Sequence, residues 1–250
     1  MRNLLIFPGQ GSQFVGMGKA FSENFTQARD VFEEVNDSLS QSLTKIMWDG
    51  DIEDLTKTEN AQPAIMSVSI AIFRVLESEI GIDFGKIGYC AGHSLGEYSA
   101  LVASKALDLD TAAKLLKTRG ISMQKSVPIG QGAMAALIGS SIEQAEQLAK
   151  KISDQKIDLV CDVANDNAPG QVVLSGHADA IEAAINLSVD YGAKKAMRLP
   201  VSAPFHCSLM RPAADIMKDA LSNSNIIDPI APVIANVTAK PEVQAEKITD

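Results

Sequence analysis

The chain begins with a short apolar stretch that is ended by turn residues. Residues 4–7 are all apolar, and Pro8 and Gly9 follow them directly. A continuous apolar run of this length is typical of a strand buried on both faces, as in a parallel sheet. Glycines then recur over 9–18. This glycine loop either lets backbone N–H groups approach a ligand or makes only a tight turn.

Apolar residues with helical spacing follow over 21–39 and 63–79. Asn60 is a candidate N-cap of the second helix, and Pro63 is tolerated in a first helical turn. Another short apolar strand is predicted over 87–91, before a further helix. The first half of the chain therefore alternates strands and helices, which is typical of an α/β fold.

From residue 130 the order of the predicted elements changes. They are a strand over 134–138, a helix over 142–152, strands over 159–164 and 171–175, a helix over 178–191, a strand over 195–199, then a helix over 209–221 and a strand over 232–234. The first six have the βαββαβ order of a ferredoxin-like unit. We therefore expect a small subdomain over 130–199, inserted into a larger α/β core made of 1–129 and 200–250.

Composition and charge agree with a globular protein and exclude several classes. Hydrophobic residues make up 46% and charged residues 21% of the chain, close to the usual globular averages. The 22 basic and 31 acidic residues give a net charge of −9, which argues against a nucleic-acid-binding surface. No apolar stretch approaches the ~20 residues of a membrane helix. We therefore expect neither nucleic-acid nor membrane partners. Three cysteines are too few for a disulfide framework, so we expect a protein of the cytoplasm or of an equivalent organelle interior.

The strongest chemical signal is the sequence Gly-His-Ser-Leu-Gly over 92–96. It places Ser94 in a GxSxG pattern between a predicted strand and a predicted helix, which is the context of a nucleophile elbow. Glycines flank the serine because a Cβ at either position would clash in so tight a turn. The N–H of Leu95 lies at the helix N-terminus, where negative charge is favoured. Ser94 is therefore the candidate nucleophile.

A nucleophilic serine needs a base, and the chain has three histidines. His93 adjoins Ser94, so its side chain is expected to leave the elbow in another direction and to serve packing. His177 is expected at the solvated start of a helix. His206 lies in a proline-marked loop before a helix, where catalytic groups are commonly presented. By elimination His206 is the candidate base, with a buried structural histidine as the alternative, and the adjacent Cys207 is expected to be a small core residue.

Six motifs together resemble one known family. They are Gly-Gln-Gly-Ser-Gln at 9–13, Gln-Pro-Ala at 62–64, the elbow with Glu-Tyr at 92–98, Arg-Gly at 119–120 with Met-Gln at 123–124, the segment 165–171, and Pro-Phe-His-Cys at 204–207. In this order they resemble the bacterial malonyl-CoA:acyl carrier protein transacylases of type II fatty acid synthesis. The resemblance runs from the first residues to about Thr238.

The resemblance implies a fold and a mechanism. The fold is α/β, an α/β-hydrolase-like core with a parallel sheet plus an inserted ferredoxin-like (βαββαβ) subdomain. The mechanism is a two-step transfer of a malonyl group from malonyl-CoA, through an acyl-enzyme, to the phosphopantetheine thiol of acyl carrier protein. It needs no cofactor and no metal, because the coenzyme A thioester is itself a substrate. We also expect a monomer.

The resemblance also implies a role for each matched residue. Ser94 is similar to the acylated nucleophile and His206 to its general base and acid, the oxyanion-hole N–H groups match Gln10 and Leu95, and the same pocket is lined by Gln62, Asn165 and Asn167. An isolated arginine in a helix is normally solvated. Arg119 gains a role because malonyl carries a free carboxylate, which a guanidinium can hold through two hydrogen bonds.

An acidic carrier protein needs a local basic patch on an acidic enzyme. The candidates cluster around the exit of the subdomain and His206, and they are Lys194, Lys195, Arg198 and Arg211. A charge run of this kind is otherwise a solvated face. We treat these four residues as the expected docking patch for the carrier protein.

The family normally continues some tens of residues beyond the position that matches Asp250. The resemblance implies that this segment includes a backbone carbonyl that holds the catalytic imidazole. Either another group takes the place of this carbonyl, or the 250-residue chain has lower stability and turnover than a version that carries the segment, which is our expectation.

Two other functions remain open at this point. The first is a serine thioesterase or esterase of the α/β-hydrolase class, whose acid would be Asp162, Asp166 or Asp190. It leaves Arg119 and the Gln10 loop without a task. The second is a non-catalytic remnant that binds carrier protein.

Overall fold

The computed structural model describes residues 3–155 and 158–249. The ends of the predicted core at 1–2 and 250 lie outside the described residues. Contacts along the chain divide it into two compact units. The first consists of Met1–Gly120 with Met217–Asp250, and the second of Ile121–Ile216. The narrower limits of 130 and 199 for an inserted subdomain stay a prediction.

Strands and helices alternate along much of the described chain. The strands are β1 (Asn3–Phe7), β2 (Ile87–Gly92), β3 (Gly132–Ile138), β4 (Cys161–Ala168), β5 (Gln171–His177), β6 (Lys195–Arg198), β7 (Val233–Ile234) and β8 (Pro241–Glu242). The helices are α1 (Lys19–Asn24), α2 (Thr26–Leu39), α3 (Leu43–Asp49), α4 (Ile52–Thr56), α5 (Thr58–Ile80), α6 (Gly96–Ala103), α7 (Leu109–Ser126), α8 (Ile142–Gln155), α9 (Ala178–Leu187), α10 (Arg211–Ser222) and α11 (Ala245–Thr249). None of these helices is long and apolar enough to cross a membrane.

The first unit is built on a sheet with the strand order β1-β2-β7-β8. Strand β2 pairs in parallel with β1 on one side and with β7 on the other, and β8 is antiparallel to β7. The α/β fold with a parallel sheet is therefore confirmed. Phe7 lies opposite Gly92, and Ala91 lies opposite Ile234. The carboxyl ends of the three parallel strands thus meet at one edge of the sheet.

The prediction that β1 is buried on both faces is wrong. Only Phe7 of this strand is buried, while Leu4 is 56% and Ile6 73% exposed. The reason is its place in the sheet, because β1 is the end strand of the described order and has β2 on one side only. An apolar run therefore predicted the strand correctly but not its surroundings.

The helices of the first unit enclose a core of large apolar side chains. Those with almost no exposure are Phe32, Leu43, Met47, Leu55, Met66, Ile70, Leu95, Leu109 and Leu116. The helix predicted over 21–39 is interrupted at Phe25, whose extended backbone separates α1 from α2. Asn60 is not an N-cap, because α5 already starts at Thr58 and Pro63 lies inside that helix. The Asn60 amide instead donates to the carbonyl of Asp54 at 2.9 Å, which fixes the start of α5.

The second unit contains an antiparallel sheet with the strand order β4-β5-β3-β6. Helices α8 and α9 pack on it around Leu137, Leu148, Ile152, Leu174 and Ile181, all of them buried. The chain order of β3, α8, β4, β5, α9 and β6 is the predicted βαββαβ order. The ferredoxin-like unit is therefore confirmed. The helix predicted over 178–191 ends as α9 at Leu187 and continues as a 3-10 turn, Ser188–Tyr191.

A glycine lets helices α7 and α5 approach closely in the first unit. A Cβ added at Gly120 would lie 2.6 Å from the Cα of Glu59 and 2.7 Å from the carbonyl oxygen of Thr58. Both are backbone atoms, so the side chains cannot rotate away to make room. Any residue larger than glycine would therefore separate the two helices next to Arg119.

Replacement of Gly120 by alanine should lower stability although alanine favours helices. Helix propensity alone predicts a gain of about 0.5–1 kcal/mol, whereas forced overpacking costs about 1–3 kcal/mol. We expect a net loss in the free energy of unfolding, measured by urea titration. Lys114→Ala, at an exposed position of the same helix, is the control and should have little effect. A more stable Gly120→Ala protein would show that the two helices can separate without cost.

Candidate active site

The GxSxG segment forms a strand, a tight turn and a helix. Strand β2 ends at Gly92 and helix α6 begins at Gly96. The turn is closed by backbone hydrogen bonds from Gly96 N–H to the His93 carbonyl at 2.9 Å and from Glu97 N–H to the Ser94 carbonyl at 3.1 Å. Ser94 itself has a left-handed backbone, with a φ of 53°. This is the strained geometry that exposes a nucleophile at the end of a strand.

Both glycines of the elbow are required by backbone contacts. A Cβ at Gly92 would collide with the backbone of Gly96 and Glu97. A Cβ at Gly96 would lie 2.6 Å from the carbonyl oxygen of Phe7 and 2.8 Å from that of Pro8. The elbow is thus pressed against the end of β1, where the glycine loop begins.

Arg119 lies directly beside Ser94. One guanidinium nitrogen, Nη2, donates to Ser94 Oγ at 3.0 Å, and the other, Nη1, donates to Gln62 Oε1 at 2.7 Å. Gln62 is buried in α5, so it holds the guanidinium in one orientation. The guanidinium carbon is also 6.0 Å from the centre of the Tyr98 ring, within the range of a cation–π interaction. The predicted residues Ser94, Arg119 and Gln62 therefore form one cluster in the first unit.

Burial and neighbouring groups shift the pKa of Arg119 in opposite directions. Burial lowers the pKa of its guanidinium, while Tyr98 and Glu97 raise it. Burial also raises the pKa of Glu97, against a hydrogen bond from the backbone of Asn236 and the positive charge of Arg119. Since the ordinary pKa of arginine lies far above neutral, Arg119 provides a positive charge next to the candidate nucleophile. This is a site for an anionic group.

The two residues expected to supply oxyanion-hole N–H groups flank the same elbow. Leu95 is the N-cap residue of α6 and is buried. Gly9 packs on the elbow, since a Cβ there would lie 2.6 Å from Nδ1 of His93. Gln10 follows Gly9 directly, and its side-chain amide donates to Thr58 Oγ1 at 3.4 Å. The glycine loop is therefore fixed beside the turn at the N-terminus of a helix, where an anion is favoured.

Asn236 is a residue of this site that the sequence reasoning missed. Its Oδ1 accepts a hydrogen bond from Ser94 N–H at 2.7 Å, and its Nδ2 donates to the Gly92 carbonyl at 2.7 Å. Its own N–H donates to the carboxylate of Glu97 at 3.3 Å. The sequence did contain a signal for this residue, because Asn236 lies shortly after the apolar strand predicted at 232–234. Polar residues after parallel strands gather at the edge where ligands bind.

The hydrogen bonds to Asn236 are comparable in size to the strain at Ser94. A left-handed backbone at a non-glycine residue costs about 1–3 kcal/mol. An ordinary hydrogen bond stabilises a folded protein by about 0.5–1.5 kcal/mol. The lower part of this range applies to Asn236 because it lies at the surface. The amide therefore offsets part of the strain that the nucleophile elbow carries.

The second unit places His206 in a well-anchored loop. Its backbone is also left-handed, with a φ of 58°, and its side chain is half-buried. Phe205 before it is buried, and Ser208 N–H after it donates to Asp162 Oδ2 at 2.7 Å. Burial raises the pKa of Cys207, whose thiol donates to the Pro204 carbonyl at 3.1 Å. Cys207 is half-buried and not the core residue expected, and the raised pKa disfavours the thiolate that a nucleophilic cysteine needs.

The remaining histidine and the two predicted asparagines also lie in the second unit. His177 is not simply solvated, because its Nδ1 accepts a hydrogen bond from Val160 N–H at 2.8 Å. Asn165 and Asn167 lie on β4, the first half-buried and the second exposed. The roles expected for them in lining a substrate pocket stay predictions. Within 3–155 and 158–249, no group of three or more His, Cys, Asp or Glu side chains is arranged to hold a metal ion.

Comparisons with known proteins agree with these observations. The malonyl CoA-acyl carrier protein transacylase of Bacillus subtilis (strain 168) is 46% identical over 97% of this chain and 74% of its own length. The crystal structure of an acyl-carrier-protein-S-malonyltransferase from Bartonella henselae has a TM-score of 0.94 and 48% identity, covering 100% of this chain and 78% of that one. The structure of a malonyl-transacylase in complex with its type II PKS acyl-carrier protein has a TM-score of 0.93 and 38% identity. The match covers 100% of this chain and 79% of that one.

These likenesses confirm the resemblance that the six motifs indicated. The family model described as an acyl transferase domain matches residues 4–249, which is nearly the whole chain. The matched region includes the elbow with Ser94, the adjacent Arg119 and the loop with His206. The chain therefore belongs to the acyl transferase family.

Proposed function

We propose that this protein transfers a malonyl group from malonyl-CoA to the phosphopantetheine thiol of acyl carrier protein, through an acyl-enzyme at Ser94. The observation that carries the proposal is the 3.0 Å contact between the Arg119 guanidinium and Ser94 Oγ. The names of the relatives support the same activity. The reaction belongs to fatty acid biosynthesis.

The position of Arg119 selects a short acyl group that ends in a carboxylate. In a malonyl ester the carboxylate carbon is two bonds from the acyl carbon that is attached to Ser94 Oγ. A guanidinium that contacts Oγ in the free enzyme is therefore within reach of this carboxylate. Gln62 already holds one side of the guanidinium, so little side-chain freedom is lost when the carboxylate binds. An acetyl group has no carboxylate, so the guanidinium would keep only neutral hydrogen-bond partners such as Gln62.

In the first half-reaction Ser94 Oγ attacks the thioester carbonyl of malonyl-CoA. His206 takes the serine proton as general base, and the N–H groups of Gln10 and Leu95 stabilise the oxyanion. The C–S bond then breaks, and His206 returns its proton to the sulfur of coenzyme A. In the second half-reaction the carrier thiol attacks the Ser94 ester, and the same groups reverse their roles. Kinetics of the ping-pong type follow from this sequence.

A serine thioesterase or esterase is the second candidate. Its required acid would be Asp162, Asp166 or Asp190. Asp162 accepts the Ser208 N–H, so its carboxylate already anchors the histidine loop. Asp190 lies exposed in the 3-10 turn after α9. The hydrolase also gives no task to Arg119. A non-catalytic remnant that binds carrier protein would likewise leave Arg119 without a function.

The docking patch for the carrier protein is part of the proposal. Its members Lys194, Lys195, Arg198 and Arg211 are all exposed. Three of them lie on or next to β6, at the end of the antiparallel sheet, and Arg211 begins α10. Only Arg211 has an ion pair among the described contacts, to Asp215 at 3.3 Å, and such exposed pairs contribute little. Positive charge therefore remains available for an acidic partner.

Several expectations from the sequence stay predictions. They are that the protein is a cytoplasmic monomer, that it needs neither cofactor nor metal, and that Asn165 and Asn167 line the acyl pocket with Gln62. Detection of an acyl adduct on Ser94 would test the mechanism but none of these three expectations.

Incubation of the protein with malonyl-CoA should give a malonyl adduct on Ser94. The adduct is detected by mass spectrometry of the intact chain and located by peptide mapping. Ser94→Ala should give none, and added carrier protein should remove the adduct from the wild type while becoming malonylated. Rapid release of free malonate without a carrier would instead identify a hydrolase. Carrier binding with no adduct at all would identify a non-catalytic protein.

Replacement of Arg119 by alanine should reduce malonyl transfer much more than acetyl transfer. The expected loss in kcat/KM for malonyl-CoA is about 10- to 100-fold, since hydrogen bonds to a charged group are worth about 1.5–3 kcal/mol. Arg119→Lys keeps the charge but not the paired geometry and should be intermediate. Arg29→Ala, at an exposed position of α2, is the control. An equal loss with malonyl-CoA and acetyl-CoA would contradict carboxylate recognition by Arg119.

Charge reversal in the docking patch should weaken use of the carrier protein only. For the double variant Lys194→Glu with Lys195→Glu we expect a KM for carrier protein that is raised about tenfold and depends less steeply on salt than in the wild type. Formation of the Ser94 adduct from malonyl-CoA should be unchanged. Lys150→Glu with Lys151→Glu, both exposed on α8, is the matched control. An unchanged KM would remove these lysines from the docking patch.

A further inference from the structure

Asn236 and Ser94 each lie just beyond one of two neighbouring parallel strands, and the observed register, continued past the strands, places Asn236 level with His93, between Gly92 and Ser94. Strand β2 ends at Gly92 and β7 at Ile234, and each of the two residues follows its strand by the same interval. The strands are parallel neighbours, with Ala91 opposite Ile234. Parallel pairing therefore brings together two residues that are 142 positions apart.

The Asn236 amide bridges the elbow at two points. Its oxygen accepts from Ser94 N–H and its nitrogen donates to the Gly92 carbonyl, both at 2.7 Å. The orientation of the amide is fixed by these partners, because only the oxygen can accept and only the nitrogen can donate. The bridge joins the residue before His93 to the residue after it. It therefore opposes any relaxation of the left-handed backbone at Ser94.

Asn236 is itself held from two directions. Its N–H donates to the carboxylate of Glu97 at 3.3 Å, in the first turn of α6. The turn after β7 is closed by hydrogen bonds from Ala235 N–H to the Lys240 carbonyl at 3.0 Å and from Ala239 N–H to the Ala235 carbonyl at 2.8 Å. The side chain that bridges the elbow thus belongs to a tight turn that is tied to the helix behind the nucleophile.

We propose that Asn236 is a positioning residue for the nucleophile, which holds the Ser94 backbone so that Oγ points to the thioester and the N–H of Leu95 points to the oxyanion. The inference rests on Ser94 being the nucleophile of the proposed function. The Asn236 amide contacts backbone atoms of the elbow, so it acts through Ser94. Its loss should therefore lower the rate of acylation and leave the binding of malonyl-CoA to Arg119 largely intact.

The first test is Asn236→Ala, compared with the wild type and with Val237→Ala. Val237 is the next residue in the same turn and is 94% exposed, so its variant should acylate at the wild-type rate. For Asn236→Ala we expect the kcat for acylation to fall about 10- to 100-fold, the size of effect that a small misplacement of a reacting group produces. The KM for malonyl-CoA should change less than about threefold. Urea unfolding of each variant verifies that folded proteins are compared.

Asn236→Asp gives a readout that a purely structural role would not move. At high pH its carboxylate can accept from Ser94 N–H but faces the Gly92 carbonyl, with Glu97 and Arg119 nearby. When protonated it can donate to the Gly92 carbonyl and restore both hydrogen bonds. The ratio of its acylation rate to that of the wild type should therefore rise as the pH falls, while the ratio for Asn236→Ala stays flat. A flat ratio for Asn236→Asp, or wild-type acylation by Asn236→Ala, would overturn the proposal.

A fluorophosphonate probe that labels activated serines separates this inference from the proposed function. A wild type that reacts with the probe but forms no malonyl adduct would refute malonyl transfer. Slow labelling of Asn236→Ala in that case would still support the positioning role. Equal labelling of the wild type and Asn236→Ala would refute the positioning role alone. A wild type that reacts with neither reagent would refute both, because Ser94 would then not be a nucleophile.

Discussion

The close approach of backbone segments around the turn from β2 to α6 is the constraint on which the rest of the candidate site depends. Gly96 lies against the carbonyl groups of Phe7 and Pro8, and Gly92 lies against the start of α6. No side chain fits at either position. In this crowded turn Ser94 has a left-handed backbone, and the start of the glycine loop lies beside it. The proposed nucleophile and its proposed oxyanion donors therefore lie in one closely packed region.

A second close approach places the arginine that we propose to select the acyl group. Gly120 lets α7 lie against the backbone of α5 at Glu59, and the residue before it is Arg119. Gln62 lies on α5 one turn further along, where it receives a hydrogen bond from the guanidinium. The proposed selectivity for a carboxylate thus depends on helix packing as well as on the presence of an arginine. The close contacts at the elbow and at Gly120 both require a residue without a Cβ atom.

The sequence predicted the architecture well because its patterns are local. The parallel strands, the elbow and the βαββαβ unit follow from apolar runs, glycines and their order along the chain. The exposure of Leu4 and Ile6 could not be predicted in this way, because it depends on which strand ends the sheet. Asn60 was misassigned for a similar reason, since its partners come from other segments and α5 starts before it.

The candidate site was predictable as a set of residues but not as a geometry. The motifs identified Ser94, Arg119 and Gln62, but nothing in their spacing shows that the guanidinium lies 3.0 Å from Oγ. Asn236 was missed because its partners are 142 and 144 positions away, and only the pairing of β2 with β7 brings them together. Long-range contacts of this kind leave only a faint trace in a single sequence, namely a polar residue after an apolar strand.

The pairing of β2 with β7 also makes the contacts between Asn236 and the elbow dependent on sheet register. A slip of β7 by one residue would present Ala235 or Val237 to Gly92 and Ser94 in place of Asn236. Neither side chain can donate or accept a hydrogen bond, and a slip would also turn buried Val233 to the opposite face. A wrongly paired sheet would therefore lack the bridge across the elbow. Asn236 contacts the backbone of Ser94, the proposed nucleophile, only in a molecule in which β2 and β7 have their native alignment.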